Sequence, residues 1–472
     1  MEFSWKIVID AGIISAALLL ATALRSRWRF LQRFMVPNAL TAGFILLPVY
    51  NYLMPAIGYT QNRLGDLVYH LLSISFIAMA LRSKPPKVQG DARHSVWAMS
   101  TVTLSQYAVQ ITLGLLLTWV MFSTFAPGLN PAFGLTLPLG FALGPGQAYA
   151  IGKGWESMGF EGAGSVGLTM AALGYLWACL VGVALVNYGV RKGYLPKHAT
   201  EAMQDKGMLT GLVPKGAEKP VGMRNTTDLE AIDPMSLHAA AVASTYILSY
   251  ALLLGLSWLL GLAGKAGADL ARNLWGINFI FSAVVAMAVR GFMDKLRLGH
   301  VMDDDSLSRV SGFAVDYMVA GSLAAISLVF VGKYWLPLLA LSTVGGIVVT
   351  LTVPFWASRI FRDHRYERMI MLYGLSTGTL STGLALLRIL DPEFKTKVSS
   401  DYMLSAGLTF LLAIPFVLAI NLPAQAGMTG ELGPFWTMVL IGVCYLAYCV
   451  AAFALIARKR AFASPLRIWL EE

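Results

Sequence analysis

Eleven apolar runs, each long enough to cross a bilayer, constrain the fold of this chain more than any other feature of its sequence. They lie near residues 7–24, 36–54, 64–81, 97–121, 164–188, 237–262, 273–291, 310–332, 334–356, 402–422 and 435–457. A helix needs about 20 mostly apolar residues to cross ~30 Å of hydrocarbon, and it satisfies its own backbone hydrogen bonds there. The sequence therefore predicts an all-α, polytopic membrane protein in a lipid bilayer.

The composition excludes several other classes of protein. Only 13% of the residues are charged and the mean hydropathy is +0.64, whereas soluble domains carry about a quarter charged residues. Cys179, Cys444 and Cys449 all lie in apolar runs, which excludes a disulfide framework or a CxxC metal site. The net charge of +10 is explained by basic cytoplasmic loops, so no nucleic-acid partner is expected.

Two further segments, residues 133–155 and 368–390, are apolar but interrupted by glycine, proline and hydroxyl residues. The first contains LGPGQAYAIGKGW and the second contains GLSTGTLSTGLALLRIL. If both dip into the membrane and return, and the N-terminus lies outside, every basic cluster falls on the cytoplasmic side. Those clusters lie at residues 25–33, 82–93, 191–224, 290–297, 359–368 and 458–460. We therefore predict two re-entrant segments, with the C-terminus in the cytoplasm.

The order of the spans is repeated along the chain. Residues 1–189 and residues 237–422 each contain four spans, one broken segment and a fifth span, and the two copies start on opposite faces. This pattern predicts two inverted repeats of five transmembrane helices, each with a glycine-rich re-entrant hairpin. Residues 190–236 are interpreted as a cytoplasmic linker, and residues 423–472 as an extra C-terminal transmembrane helix with a basic tail.

The two broken segments are the predicted functional site. Inverted repeats with discontinuous segments at the midplane are typical of transporters, in which helix N-termini face anionic substrate groups. The predicted substrate-binding residues are Gly144, Pro145, Gly146, Gln147, Ser376, Thr377, Gly378, Thr379, Ser381, Thr382 and Arg388. Thr377, Thr379 and the intramembrane Asp316 are candidates for a sodium site. The alternative is that the small residues only allow close helix packing.

At these residues the chain resembles the sodium/glutamate symporter family. The stretches FLQRFMVPNALTAGFIL, LGPGQA and TGTLSTGLALLRILDP carry the resemblance, which covers most of residues 5–422. It implies two five-span inverted halves, sodium-coupled glutamate uptake and a homodimer in the plasma (bacterial inner) membrane. The first loop departs from the family pattern GGHGTA, because Pro145 takes the place of the histidine and Gln147 that of the threonine.

The leading functional hypothesis is thus a secondary transporter that couples sodium to uptake of a small organic anion, most likely glutamate or a related carboxylate. A proton-coupled or facilitative carrier, a channel and an integral membrane enzyme are the alternatives. No HExxH motif, GxGD motif or Ser/His/Asp arrangement occurs at membrane depth, so neither catalysis nor an organic cofactor is expected.

The predicted topology can be tested by cysteine labelling. Cysteines introduced at Pro127 and Thr429 should react with an impermeant thiol reagent from outside intact cells, because both loops lack basic residues. A cysteine at Lys206, in the basic linker, should not react. Labelling of position 206 would contradict both the orientation and the re-entrant segments.

Overall fold

The computed structural model describes residues 5–34, 36–83, 92–194, 230–262, 274–391 and 396–462, together with 210–213, 216, 226–228, 264, 267 and 271. Those residues contain helices and no β-strand. Most of the predicted linker and the end of the basic tail lie outside the described residues. Within the described part the chain is an all-α, multi-pass membrane protein, as the apolar runs predict.

The first half of the chain contains seven helices and one irregular helical arm. They are α1 (Lys6–Arg27), α2 (Arg29–Arg33), α3 (Asn38–Ile57), α4 (Asn62–Ala80), α5 (Ala92–Ser123), an irregular helical arm (Pro131–Leu143), α6 (Pro145–Glu156) and α7 (Ala163–Lys192). The irregular arm and α6 together form hairpin 1. Short π-helical turns continue α3 at Val49–Leu53 and α7 at Ala178–Gly182.

The second half follows the same order. Its helices are α8 (Pro234–Gly261), α9 (Asn278–Lys295), α10 (Asp304–Ala324), α11 (Leu328–Ile360), α12 (Arg365–Thr377), α13 (Leu380–Leu390) and α14 (Val398–Ala419). Helices α12 and α13 form hairpin 2. The short α15 (Leu422–Thr429) and the long α16 (Gly433–Ala457) complete the chain.

Nine helices of the described residues are both long and apolar enough to cross a membrane. The other two predicted spans correspond to α9 and α10, which carry more charged residues. The predicted boundary at Lys333, between residues 310–332 and 334–356, coincides with a kink at Tyr334, whose backbone angles are not helical. The break between α10 and α11 lies earlier, at 325–327, so Lys333 belongs to the first turns of α11. Its ammonium reaches out of the helix to Glu161, 2.9 Å away, and so avoids the apolar interior.

The helices form two bundles that pack through related pairs. The first bundle, here called the scaffold bundle, consists of α1, α3, α4, α8, α9 and α10. In it α3 packs on α10, and similarly α9 packs on α4. Helix α1 packs on α3, and similarly α8 packs on α9. In the core bundle α5 packs on α14 as α11 packs on α7, and both hairpins belong to this bundle. Helix α16 covers one side of α5. The same kinds of helix contact thus recur in the two halves of the chain.

Helix α5 contacts both hairpins, each near a different end of the helix. Its 32 residues span about 48 Å. Near its C-terminal end Gly114 lies against Gly134 in the first arm of hairpin 1, where a Cβ added to Gly114 would be 2.2 Å from the Gly134 carbonyl. Near its N-terminal end the Met99 sulfur lies 3.7 Å from Arg368 in hairpin 2. The two hairpins therefore enter the bundle from opposite ends.

Both hairpins return to the face from which they start. In hairpin 1, Phe133 at the start and Trp155 near the end contact the same ring, Phe160, at centroid distances of 6.1 and 6.3 Å. In hairpin 2, α12 and α13 pack directly on each other, and a Cβ added to Gly374 would lie 2.8 Å from the Gly383 Cα. Each of the two segments therefore forms a helical hairpin.

A buried ion pair anchors the base of hairpin 2. The Arg368 guanidinium is fully buried and lies 2.7 Å from the Asp401 carboxylate on α14. The same group also lies 3.1 Å from Asp363, just before α12. Removing one member of a buried ion pair destabilises a protein more than removing one member of a surface ion pair, because the remaining buried charge keeps its desolvation penalty.

We expect Arg368→Met to destabilise the folded protein by about 3–5 kcal/mol, because Asp401 would be left buried without a partner. Thermal unfolding in detergent measures the effect. Arg362→Met, which removes an exposed arginine three residues before α12, should change stability by less than about 0.5 kcal/mol. Equal shifts in both variants would contradict the anchoring role.

Candidate functional site

The break in hairpin 1 lies at Gly144. Its φ of +97° is a conformation that side chains disfavour. Helix α6 starts at the next residue, Pro145, and no side chain caps it. The first intrahelical amide bond runs from Ala148 to the Gly144 carbonyl, so the amides of Gly146 and Gln147 lack intrahelical partners.

The second break lies at Gly378 and Thr379. Helix α12 ends at Thr377, and Thr379 is extended, with no side-chain cap for α13. The Gly383 amide is the first to bond back, to the Thr379 carbonyl. The preceding amides, those of residues 380–382, therefore have no partner within α13.

These two breaks meet inside the protein. A Cβ added to Gly144 would lie 2.5 Å from the Thr379 methyl group, so the two tips are in contact. Helices α6 and α13, of 12 and 11 residues, both begin at this point. Each helix N-terminus carries about half a positive charge and exposed amide donors. Two such ends at one place present the kind of donors that bind an anion.

Buried hydroxyls at the meeting point have no hydrogen-bond partner in the described protein. They are the hydroxyls of Thr379, Thr382 and Tyr175. Thr382 and Tyr175 are each only 3% exposed. Tyr175 follows Gly174 on α7, where an added Cβ would lie 2.4 Å from the Thr377 carbonyl oxygen, so α7 packs directly on the second tip. An unsatisfied buried polar group costs about 1–3 kcal/mol, and these hydroxyls have the capacity to bond to a ligand or to water.

A glutamine on α5 supports the second tip. The Gln110 amide nitrogen donates to the Ser376 carbonyl at 3.0 Å, while its own carbonyl oxygen has no partner. Gln106, one turn earlier, accepts from Thr352 on α11. The first contact ties the end of α12 to α5, and the second ties α5 to α11.

The predicted residues of the first tip have different surroundings. Pro145 occupies the first turn of α6, and Gln147 is 7% exposed, with its carbonyl oxygen directed back towards Gly144. Gly146 instead faces the scaffold bundle, where an added Cβ would come within 2.8 Å of Leu72 and Met318. Its lack of a side chain is thus explained by helix packing.

The predicted residues of the second tip also separate into two groups. The Thr377 hydroxyl is fully buried and donates to the Tyr373 carbonyl of its own helix at 2.8 Å. The side chains of Thr379 and Thr382 have no such bond, and Ser376 is held through its carbonyl. The Ser381 side chain lies outside the described residues.

The last two predicted residues, Arg388 and Asp316, lie in different surroundings. Arg388 is exposed and lies nine residues beyond Thr379 on α13, about 13 Å along the helix, so the structure does not bring it to the tips. Asp316 lies on α10, which packs on α6 and α7. The Asp316 side chain is exposed, and none of the ion pairs among the described residues includes it.

Sequence reasoning missed Tyr175 and Gln110. A tyrosine in an apolar span carries no distinguishing pattern. Gln106 and Gln110, however, are amides four residues apart on one face of a transmembrane helix, which is a signal for buried polar function or packing.

Comparisons of the chain with protein-family models, with curated proteins and with solved structures find no match. The resemblance to sodium/glutamate symporters therefore stays a prediction.

Two valine substitutions at the second tip distinguish a ligand-binding role of the hydroxyls from a role in helix packing. Thr382→Val keeps the side-chain shape but removes an unpartnered hydroxyl, so we expect anion affinity to fall roughly tenfold to a hundredfold. Thr377→Val removes only a bond within α12 and should change affinity less than about threefold. Ligand titration of both purified variants measures this, and equal effects would favour the packing interpretation.

Proposed function

We propose that the protein is a secondary transporter for a small solute that carries a carboxylate. The observation that carries the proposal is the convergence of two uncapped helix N-termini with buried, unpartnered hydroxyls. Such a site holds an anion through amide donors and hydroxyls and needs no catalytic group. The site lies deep in a polytopic membrane protein, where a bound solute is positioned for transfer.

The related packing of the two halves supports a carrier. Scaffold and core helices contact each other in corresponding pairs, and the hairpins enter from opposite ends of α5. We interpret this as two inverted repeats of five transmembrane helices with one extra C-terminal helix. In carriers of this kind the halves exchange roles to expose one site alternately to each face.

The two hairpins differ in one respect that alternating access requires. Hairpin 1 is held against the scaffold, because Tyr149 lies on Gly65 of α4 and Gly146 lies on Leu72 and Met318. The second arm of hairpin 2, α13, packs instead on α7 within the core. In a single conformation of an inverted-repeat carrier, the two hairpins are packed differently. If they exchanged these two arrangements, the site would open to the other face of the membrane.

Sodium is the proposed coupling ion, and glutamate or a relative is the cargo that the family resemblance suggests. Hydroxyl oxygens and the carboxylate of Asp316 are the kinds of donor that a hard cation takes. The resemblance also suggests a homodimer in the plasma (bacterial inner) membrane. Basic loops place the C-terminus in the cytoplasm within this proposal.

Uptake by reconstituted protein tests the proposal. We expect proteoliposomes to accumulate a carboxylate solute against its gradient when sodium is imposed outside, and to lose this when choline replaces sodium at fixed pH. Coupling to protons would instead follow an imposed pH gradient. Strictly downhill, non-saturable flux would contradict a carrier and favour a channel.

A glycine pair supplies the matched control for that assay. In Gly378→Val the added Cβ would lie 2.6 Å from the Thr382 hydroxyl oxygen, so uptake should be abolished while the protein still inserts. Gly255→Val on α8 adds a side chain where nothing lies within 4 Å of the Cβ, and uptake should persist. Normal kinetics in Gly378→Val would contradict a site at the tips.

A further inference from the structure

Helices α11 and α16 meet where both of them end. Helix α11 runs to Ile360 and α16 runs to Ala457. The Phe453 ring of α16 lies 6.2 Å from the Phe355 ring and 4.7 Å from the Trp356 ring of α11, measured between ring centroids. We call this junction the α11–α16 seam. Helix α12 begins only five residues after α11 ends, so the seam lies at the same end of the core bundle as the base of hairpin 2.

Basic side chains are concentrated at the seam. They are Arg359, Arg362, Arg458, Lys459 and Arg460. No acidic residue occurs from 328 to 362, which includes all of α11, or from 432 to 462, which includes all of α16. The next residue after Arg362 is acidic, but the carboxylate of this Asp363 lies 3.1 Å from the buried Arg368. The excess of charge at the seam is therefore positive.

Two features hold these cations against the helix ends. The Arg359 guanidinium lies over the Phe355 ring, 4.0 Å from its centroid, and donates to the Phe355 carbonyl. At the end of α16 the chain turns at Arg458, whose φ of +50° is unfavourable for a residue with a side chain. The turn Arg458–Phe462 then packs back on α11, and Ala461 within it is buried. A basic loop that only sets the orientation of a membrane protein has no need of such a turn.

An apolar stripe continues from the seam along α11. Ile347, Leu351 and Phe355 follow one another at four-residue intervals, so they share one face of the helix. All three side chains are exposed on the protein, and so is Val450 on α16, three residues before Phe453. The stripe is about 12 Å long, close to the ~15 Å of hydrocarbon in one leaflet. It therefore offers one acyl chain a surface that leads to the cations.

We propose that the α11–α16 seam binds an anionic phospholipid, with the phosphate group at the cations and one acyl chain along the apolar stripe. Arg362, Lys459 and Arg460 are exposed and come within three residues of the helix ends, which places them at the level of the headgroups. Arginine binds phosphate oxygens through two parallel hydrogen bonds. Basic pockets between transmembrane helices recognise anionic headgroups on the cytoplasmic side, to which the basic loops assign this end of the bundle. This lipid site is separate from the hairpin tips, so it does not depend on the nature of the cargo.

Spin-labelled phosphatidylglycerol tests the site on the purified full-length protein in detergent. Bound lipid shows restricted motion in its electron paramagnetic resonance spectrum, and unlabelled competitors displace it. We expect phosphatidylglycerol to displace the probe at a concentration at least about tenfold lower than phosphatidylcholine with the same acyl chains, because only the first carries a net negative charge. Glycerol phosphate should be at least about a hundredfold less effective than phosphatidylglycerol, because it lacks the apolar contacts.

Paired substitutions assign the preference to the seam. Each cation near an anionic headgroup strengthens binding about fivefold, so Lys459→Gln together with Arg460→Gln should weaken binding of the probe about twenty-five-fold. Lys459→Arg together with Arg460→Lys keeps both charges and should retain binding, which separates loss of charge from damage to the turn. Arg29→Gln together with Arg33→Gln, on the exposed basic helix α2, is the matched control and should change binding less than about threefold.

Four results would overturn this lipid site. Equal displacement by phosphatidylcholine would mean that the apolar stripe takes any lipid. Displacement by glycerol phosphate as strong as that by phosphatidylglycerol would assign the cations to a soluble anion. Equal losses in the two glutamine variants would assign binding to the overall charge of the protein surface. The absence of any restricted probe would show that the seam binds no such lipid.

Discussion

Backbone amides without a helical partner at membrane depth are the constraint on which the rest of the structure depends. The first amides of α6 and α13 cannot be left in hydrocarbon, where an unsatisfied group costs several kcal/mol. They are instead enclosed by protein, at the point where Gly144 and Thr379 touch. The core bundle is arranged around that point: α5 supports one arm of each hairpin, and α7 packs on both.

The division of the helices into two bundles determines how a site at the enclosed amides can open. The core bundle holds both hairpins, and its helices α5, α7, α11 and α14 have no charged residue in their central parts, residues 95–123, 163–190, 334–358 and 402–422. Hairpin 1 alone is pressed on the scaffold through Tyr149 and Gly146. A site that lies between two bundles can be opened by a movement of one against the other, which an enclosed core cavity could not allow without unpacking.

Much of this arrangement is predictable from the residues themselves. Glycine, proline and hydroxyl residues interrupt two otherwise apolar segments, and this local pattern predicts both breaks to within a few residues. The functional side chains near them are less predictable. Thr377 and Gly146 have the residue types of a site but serve their own helix or the scaffold contact. Arg388 follows the tip closely in sequence, yet the rise of a helix carries it about 13 Å away.

What the sequence determined by itself is the all-α membrane fold, the order of its spans and the position of the two breaks, because each of these depends on local hydropathy and backbone preference. Only the tertiary structure decided that the two breaks touch. Gln110 on α5 bonds to the end of α12, and Gly174, next to Tyr175 on α7, lies against Thr377, although α5 and α7 are distant from hairpin 2 in the chain. Such proximity arises from how separate helices pack, and no local stretch of sequence contains it.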